Sequence, residues 1–193
     1  MKYQIGFISA LLLLAALAPC ALAQDRTEVY GFFEAYRNFD YKTGGPLYPA
    51  IREAEMNGGG GGIAYQYAPW FALWTQLSFY GTTETEELGA RIINNLQGVR
   101  YQTPQYGPFV FYGKGGLGFS NFNITEKSYG NTFGSTKFSA GYAGGLQIWL
   151  TDNFGLMLEL SHLLMGVPNL TDEQGRDRWD SGLSAKTGLA VRF

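Results

Sequence analysis

The stretch Phe71-Ala72-Leu73-Trp74-Thr75-Gln76-Leu77-Ser78-Phe79-Tyr80 decides the fold. Phe71, Leu73, Thr75, Leu77 and Phe79 share one parity, while Ala72, Trp74, Gln76, Ser78 and Tyr80 share the other. A period of two belongs to a β-strand, because successive side chains point to opposite faces. The pattern returns along the chain. Ala140, Tyr142, Leu146, Ile148 and Leu150 show it, as do Phe154, Leu156, Leu158 and Leu160. It closes the sequence at Leu183, Ala185, Leu189, Val191 and Phe193. Eight strands are read over 28–40, 60–68, 71–82, 89–101, 107–122, 136–150, 153–164 and 179–193.

The first 23 residues read as an export signal rather than as part of the fold. Lys2 gives the positive start, Ile5 to Leu17 is almost wholly apolar, and Ala21-Leu22-Ala23 is a small-x-small cleavage pattern. Cleavage is expected between Ala23 and Gln24. Pro19 before Cys20 fits a lipoprotein signal poorly. Residues 24–193 then form one domain, with 13 basic and 16 acidic residues and no cysteine. A net charge of −3 is no footprint for nucleic acid. No apolar run of about 18 residues follows the signal, so helical spans are excluded. Only helices and closed barrels satisfy their backbone in lipid, so a membrane reading requires a closed barrel.

The connections support that reading. Those at 41–59, 83–88, 123–135 and 165–178 are mostly long and polar. Those around Pro69, around Thr103 to Tyr106 and at Thr151-Asp152-Asn153 are short. Outer-membrane barrels alternate long external loops with short periplasmic turns. A ten-residue strand spans about 33 Å, and a tilt of about 40° leaves about 25 Å along the membrane normal. Aromatics near strand ends fit interfacial girdles: Tyr30, Tyr36, Tyr65, Tyr67, Trp70, Tyr80, Tyr101, Trp149 and Trp179. The face opposite the apolar one is rich in glycine and poor in charge, which suits a narrow lumen better than a water-facing surface.

Charges of lumen-facing parity form the most specific constellation. Glu34 on strand 1, Lys114 on strand 5, Glu159 on strand 7 and Lys186 on strand 8 fall at similar heights, with Arg91 higher on strand 4. Buried charges must be paired and hydrogen-bonded, so an interior network is expected to plug the barrel. Arg37, Arg100 and Asn94 take lipid-facing parity in this reading. The two arginines lie near strand ends, where a charge costs about 0–1 kcal/mol rather than about 2–4 at mid-membrane. A β-bulge in strand 4 is one account of Asn94.

Several motifs lack the context their chemistry needs. Gly113-Lys114-Gly115-Gly116-Leu117-Gly118 matches the dinucleotide fingerprint but sits within a strand, with no helix following. Gly58 to Gly62 lacks the Lys-Ser/Thr of a phosphate loop and reads as a flexible lead into strand 2. His162 is the sole histidine, so no multi-histidine metal site is expected. Ser161 and Glu159 take lumen parity and His162 the opposite one, which separates the members of any hydrolytic triad. No cofactor and no catalytic site are expected.

Glu28-Val29-Tyr30-Gly31-Phe32, Gly98-Val99-Arg100-Tyr101, Gly144-Gly145-Leu146-Gln147-Ile148 and Thr187-Gly188-Leu189-Ala190-Val191-Arg192-Phe193 occur in this order. With the alternation around them, the chain resembles the OmpA-like eight-stranded outer-membrane barrel family, also called the porin family or outer membrane protein β-barrel domain. The resemblance implies an antiparallel up-and-down barrel and interior charge networks. It also implies a C-terminal signal for the barrel-assembly machinery, matched here by Leu189, Val191 and Phe193. No stretch after Phe193 corresponds to the peptidoglycan-binding domain of longer members, so cell-wall anchoring is not carried over. The expected role is structural or surface-interacting, in the bacterial outer membrane. Outer-membrane lipid surrounds a monomer, and an extracellular ligand meets the loops at 41–59 and 165–178. A narrow pore for small solutes and a lipid A-modifying enzyme are the alternatives.

Overall fold

A computed structural model describes residues 27–38, 56–82, 88–126, 131–167 and 178–193. The strands are β1 (Thr27–Asn38), β2 (Met56–Ala68), β3 (Phe71–Thr82), β4 (Leu88–Gln102), β5 (Phe109–Glu126), β6 (Asn131–Trp149), β7 (Phe154–Val167) and β8 (Arg178–Arg192). They pair antiparallel in sequence order, and β8 closes on β1. The partner series from Glu28 runs through Ala64, Trp74, Gly98, Gly116, Gly141, Leu163 and Gly182 and returns at Asn38, ten residues up β1. That stagger requires strands tilted by roughly 35–45° to the barrel axis.

The wall is apolar outside and mixed inside. Phe33, Phe79, Phe119, Leu117 and Leu160 are exposed, the last at 71%. Glu34, Gln76, Asn94, Gln147 and Glu159 are buried. A water-soluble barrel would show the reverse arrangement. No helix among the described residues is long and apolar enough to cross a membrane. The strands carry the crossing instead.

Three expectations need correction. The glycine run is strand: Gly58 to Gly62 pair with β1 on one side and with β3 on the other. A Cβ on Gly60 would sit 2.8 Å from Phe32 Cζ, and one on Gly62 would run into the Tyr30 hydroxyl. These positions admit the luminal rings, so a side chain is excluded by close approach. Second, most of 123–135 belongs to β5 and β6, which leaves only 127–130 outside the two strands. The strict alternation of long and short connections is therefore lost at this hairpin. Third, Tyr30, Tyr36, Tyr80 and Trp149 are buried in the lumen and do not join a girdle. Tyr67, Trp70 and Tyr101 do face outward, and Trp70 stacks on Tyr101 at 5.9 Å between ring centroids. Trp179 pairs with Gly166 in the wall.

Candidate functional site: a closed, charged lumen

Four strands bring the central cluster together. Glu34 on β1 and Glu159 on β7 both pair with Lys186 on β8, so the register alone makes these three neighbours. The Lys186 Nζ lies 2.9 Å from Glu159 Oε1 and 3.5 Å from Glu34 Oε1. Lys114 reaches in from β5, with its Nζ 2.7 Å from Glu159 Oε2. All four side chains are buried.

Neutral donors complete the carboxylates. The Tyr112 hydroxyl donates to Glu159 Oε2 and the Tyr80 hydroxyl donates to Glu34 Oε2, each at 2.9 Å. Ser184 Oγ donates to Glu34 Oε1 at 2.5 Å. Lys114 donates to Gln76 Oε1 at 2.9 Å and lies 4.5 Å from the centroid of the Trp74 ring. Each buried charge therefore has both a counter-charge and hydrogen bonds, which is the condition for tolerating it.

A second cluster sits nearer the short-turn end. Arg100 Nη1 lies 2.9 Å from Glu28 Oε1, and its Nη2 donates to Gln147 Oε1 at 2.6 Å. Gln147 in turn donates to Glu28. The guanidinium lies 4.3 Å from the centroid of the Tyr112 ring, which links this cluster to the first. Glu28, Glu34 and Glu159 face Arg100, Lys114 and Lys186, so the buried charges balance among the described residues.

Above the ions the lumen carries more apolar side chains, beside the buried Ser120 and Ser139, whose hydroxyls meet at 2.5 Å. Met56, Ile92, Phe122, Leu163 and Met165 are buried towards the strand ends that carry the longer connections. The space left around Glu34, Asn94, Lys114 and Lys186 amounts to about 20 Å³. That is room for about one water rather than a path.

The structure gathers Glu34, Lys114, Glu159 and Lys186, but not Arg91. Arg91 is exposed on the outer wall, and Asn94 and Arg100 are buried inside. A single inversion of parity along β4 accounts for all three corrections, and no bulge interrupts its pairing with β3 or β5. Both faces of β4 mix polar and apolar residues, so periodicity alone could not orient it. The missed signal was Glu28, which also has luminal parity and needs a cation.

The remaining predicted sites are placed as follows. Leu189 and Phe193 face outward at the free end of β8. Glu159 and Ser161 point into the lumen, while His162 lies on the outer wall against Tyr142, 5.1 Å between centroids. Ala23 and Gln24 lie outside the described residues, as do 41–55 and 168–177 of the two long loops. Among the described residues no group of three or more metal-ligating side chains occurs.

An eight-stranded barrel with an apolar wall and a polar, plugged interior defines a class: the small transmembrane barrels of bacterial outer membranes. The chain matches the family described as outer membrane protein beta-barrel domain over residues 7–193 and belongs to it. No match exists among curated proteins. Among solved structures it is similar to the Neisserial surface protein A, with 12% identity, a TM-score of 0.65, and coverage of 86% of this chain and 96% of that one. It is similar to the attachment invasion locus protein Ail of Yersinia pestis, with 14% identity, a TM-score of 0.55, and coverage of 89% and 100%. The N-terminal barrel domain of Pseudomonas aeruginosa OprF gives 18% identity, a TM-score of 0.55, and coverage of 88% and 98%. At these identities the likeness is one of fold.

Proposed function

We propose that this protein is a closed outer-membrane barrel with a structural or surface-interaction role, and that its external loops make whatever contacts it has. One observation carries this reading: the lumen is filled by a network of paired buried charges under further buried side chains, with about 20 Å³ left beside it. A water-filled path needs a continuous polar bore, and eight strands enclose barely enough room for their own side chains. The chain is exported by its N-terminal signal and cut between Ala23 and Gln24. The outward row of Leu189, Val191 and Phe193 addresses it to the barrel-assembly machinery. It stands as a monomer in outer-membrane lipid. A hydrolytic triad of Glu159, Ser161 and His162 finds no support, because Ser161 and His162 lie on opposite faces of β7.

Loop charge narrows the partner. The connections outside the strands on the loop side, 39–55, 83–87, 127–130 and 168–177, carry nine acidic and four basic residues, a net −5. Ail has been solved in complex with a heparin analogue, sucrose octasulfate. A polyanion is the wrong partner for acidic loops, so a cationic surface is the expected one.

Planar-bilayer recording with pure, refolded protein tests the sealed lumen. Only rare, unresolved current is expected. Stable single-channel steps would replace this reading with that of a narrow pore.

A further inference from the structure

The glycine run has an outer side as well as an inner one. Gly61 pairs with Leu77 of β3, which pairs with Asn95 of β4, so the three share one face and one register row. Gly59 pairs with Phe79 on the same face. Without side chains at Gly59 and Gly61, the wall carries a groove of about 290 Å³. Val29, Ile63, Leu77 and Phe79 give it apolar sides, and Thr75 and Asn95 give it a polar edge. This size falls at the low end of small-molecule sites, about 300–1,000 Å³.

Depth sets this edge apart from a surface site, and the exposed Gln97, paired with Thr75, continues it along β4. Asn95 is the middle residue of β4 (Leu88–Gln102), so it lies near the middle of the apolar belt. Among the described residues neither Asn95 nor Thr75 has a side-chain hydrogen-bond partner. An amide facing hydrocarbon with no partner is costly, and such groups mark sites. A plain acyl chain would fill the groove and leave the amide unpaired. A chain carrying a hydroxyl would satisfy both.

We propose that this wall groove binds an elongated apolar molecule bearing one hydrogen-bonding group, of the long-chain alcohol class, taken up from the bilayer. The apolar sides hold the chain, and Asn95, backed by Thr75, selects the polar group. The proposal rests on the barrel standing in lipid and is independent of whether the lumen is sealed. It therefore survives or fails separately from the conductance result.

The test uses full-length, isotope-labelled protein in nanodiscs of one saturated phosphatidylcholine, titrated with 1-dodecanol or with dodecane. Nuclear magnetic resonance reads the backbone amides of Gly59 to Ile63 and the side-chain amide of Asn95. Dodecanol should shift these signals, saturate, and reach half-effect at roughly tenfold lower concentration than dodecane, about the worth of one net hydrogen bond. Asn95→Leu should bring the two probes together, and Thr75→Phe should fill the groove and abolish both responses. Both substitutions point outward, and dispersed spectra confirm that the variants fold. Equal responses to the two probes, shifts spread evenly around the barrel wall, or an alcohol preference that survives Asn95→Leu would each overturn the proposal.

Discussion

Replacing Glu159 by Gln removes the carboxylate that two lysines share. Lys114 loses its ion pair at 2.7 Å and keeps Gln76 and the Trp74 ring. Lys186 loses its ion pair at 2.9 Å and keeps the longer pair to Glu34 at 3.5 Å and the Phe32 ring at 5.4 Å. The cluster goes from neutral to one net positive charge in a space too small for solvating water. Stranding a buried charge in this way costs about 3–5 kcal/mol. With an m-value of about 2 kcal/mol per molar, the urea midpoint should fall by about 2 M. Tryptophan fluorescence during urea unfolding in vesicles reads this directly, since Trp74 lies beside Lys114. Adding Lys114→Met to Glu159→Gln restores neutrality. The double variant should be more stable than the single one, with a coupling of about 0.5–3 kcal/mol. A single variant within about 1 kcal/mol of the parent, or a double variant less stable than the single, would show that the four charges do not act as one buried network.

Three further outcomes follow from the geometry. Arg100→Met should cost about 3–5 kcal/mol, because it strands Glu28, whereas Arg91→Met on the outer wall should stay within about 0.5 kcal/mol; equal effects in the same urea assay would mean that β4 is oriented the other way. Gly60→Val forces a side chain against Phe32 and Leu77 and should destabilise by at least about 1–3 kcal/mol, seen as loss of the heat-shifted band in electrophoresis of unboiled samples. Immobilised heparin should retain neither the protein nor its loop peptides at physiological salt, while a polylysine surface should retain the protein until the salt is raised; retention on heparin would contradict the charge argument.

The strand count, the closed order and the inward set Glu34, Lys114, Glu159 and Lys186 were legible because β1, β5, β7 and β8 alternate cleanly. In β7, Leu156, Leu158 and Leu160 leave no doubt which face meets lipid, so Glu159 must point in. β4 is different. Ile92 and Leu96 face the lumen while Ile93 and Val99 face lipid, and each face carries amides. Its orientation is decided by a partner across the barrel, Glu28, which no local pattern contains. The glycine run was illegible for a related reason. Glycine carries no hydropathy signal, and the obstructions that exclude side chains at Gly60 and Gly62 lie on the neighbouring strands: the rings of Phe32 and Tyr30 on β1 and the carbonyls of Leu77 and Thr75 on β3. The same packing draws Tyr30, Tyr36 and Tyr80 inward, although aromatic residues near strand ends ordinarily suggest a girdle.

The distribution of charge connects the barrel to its role. Among the described residues three buried carboxylates match three buried cations, so the plug itself carries no net charge. The net charge of −3 on residues 24–193 therefore has to arise elsewhere, and the −5 of the connections 39–55, 83–87, 127–130 and 168–177 is enough to account for it. Charge in a balanced, desolvated cluster stabilises one arrangement of side chains and does little for a passing ion. Charge on solvated loops reaches about one Debye length, roughly 8 Å at physiological salt, and can steer an approaching partner. A conduit that selected ions by charge would carry rings of one sign along its bore. The excess lies in the connections, which is where recognition is expected.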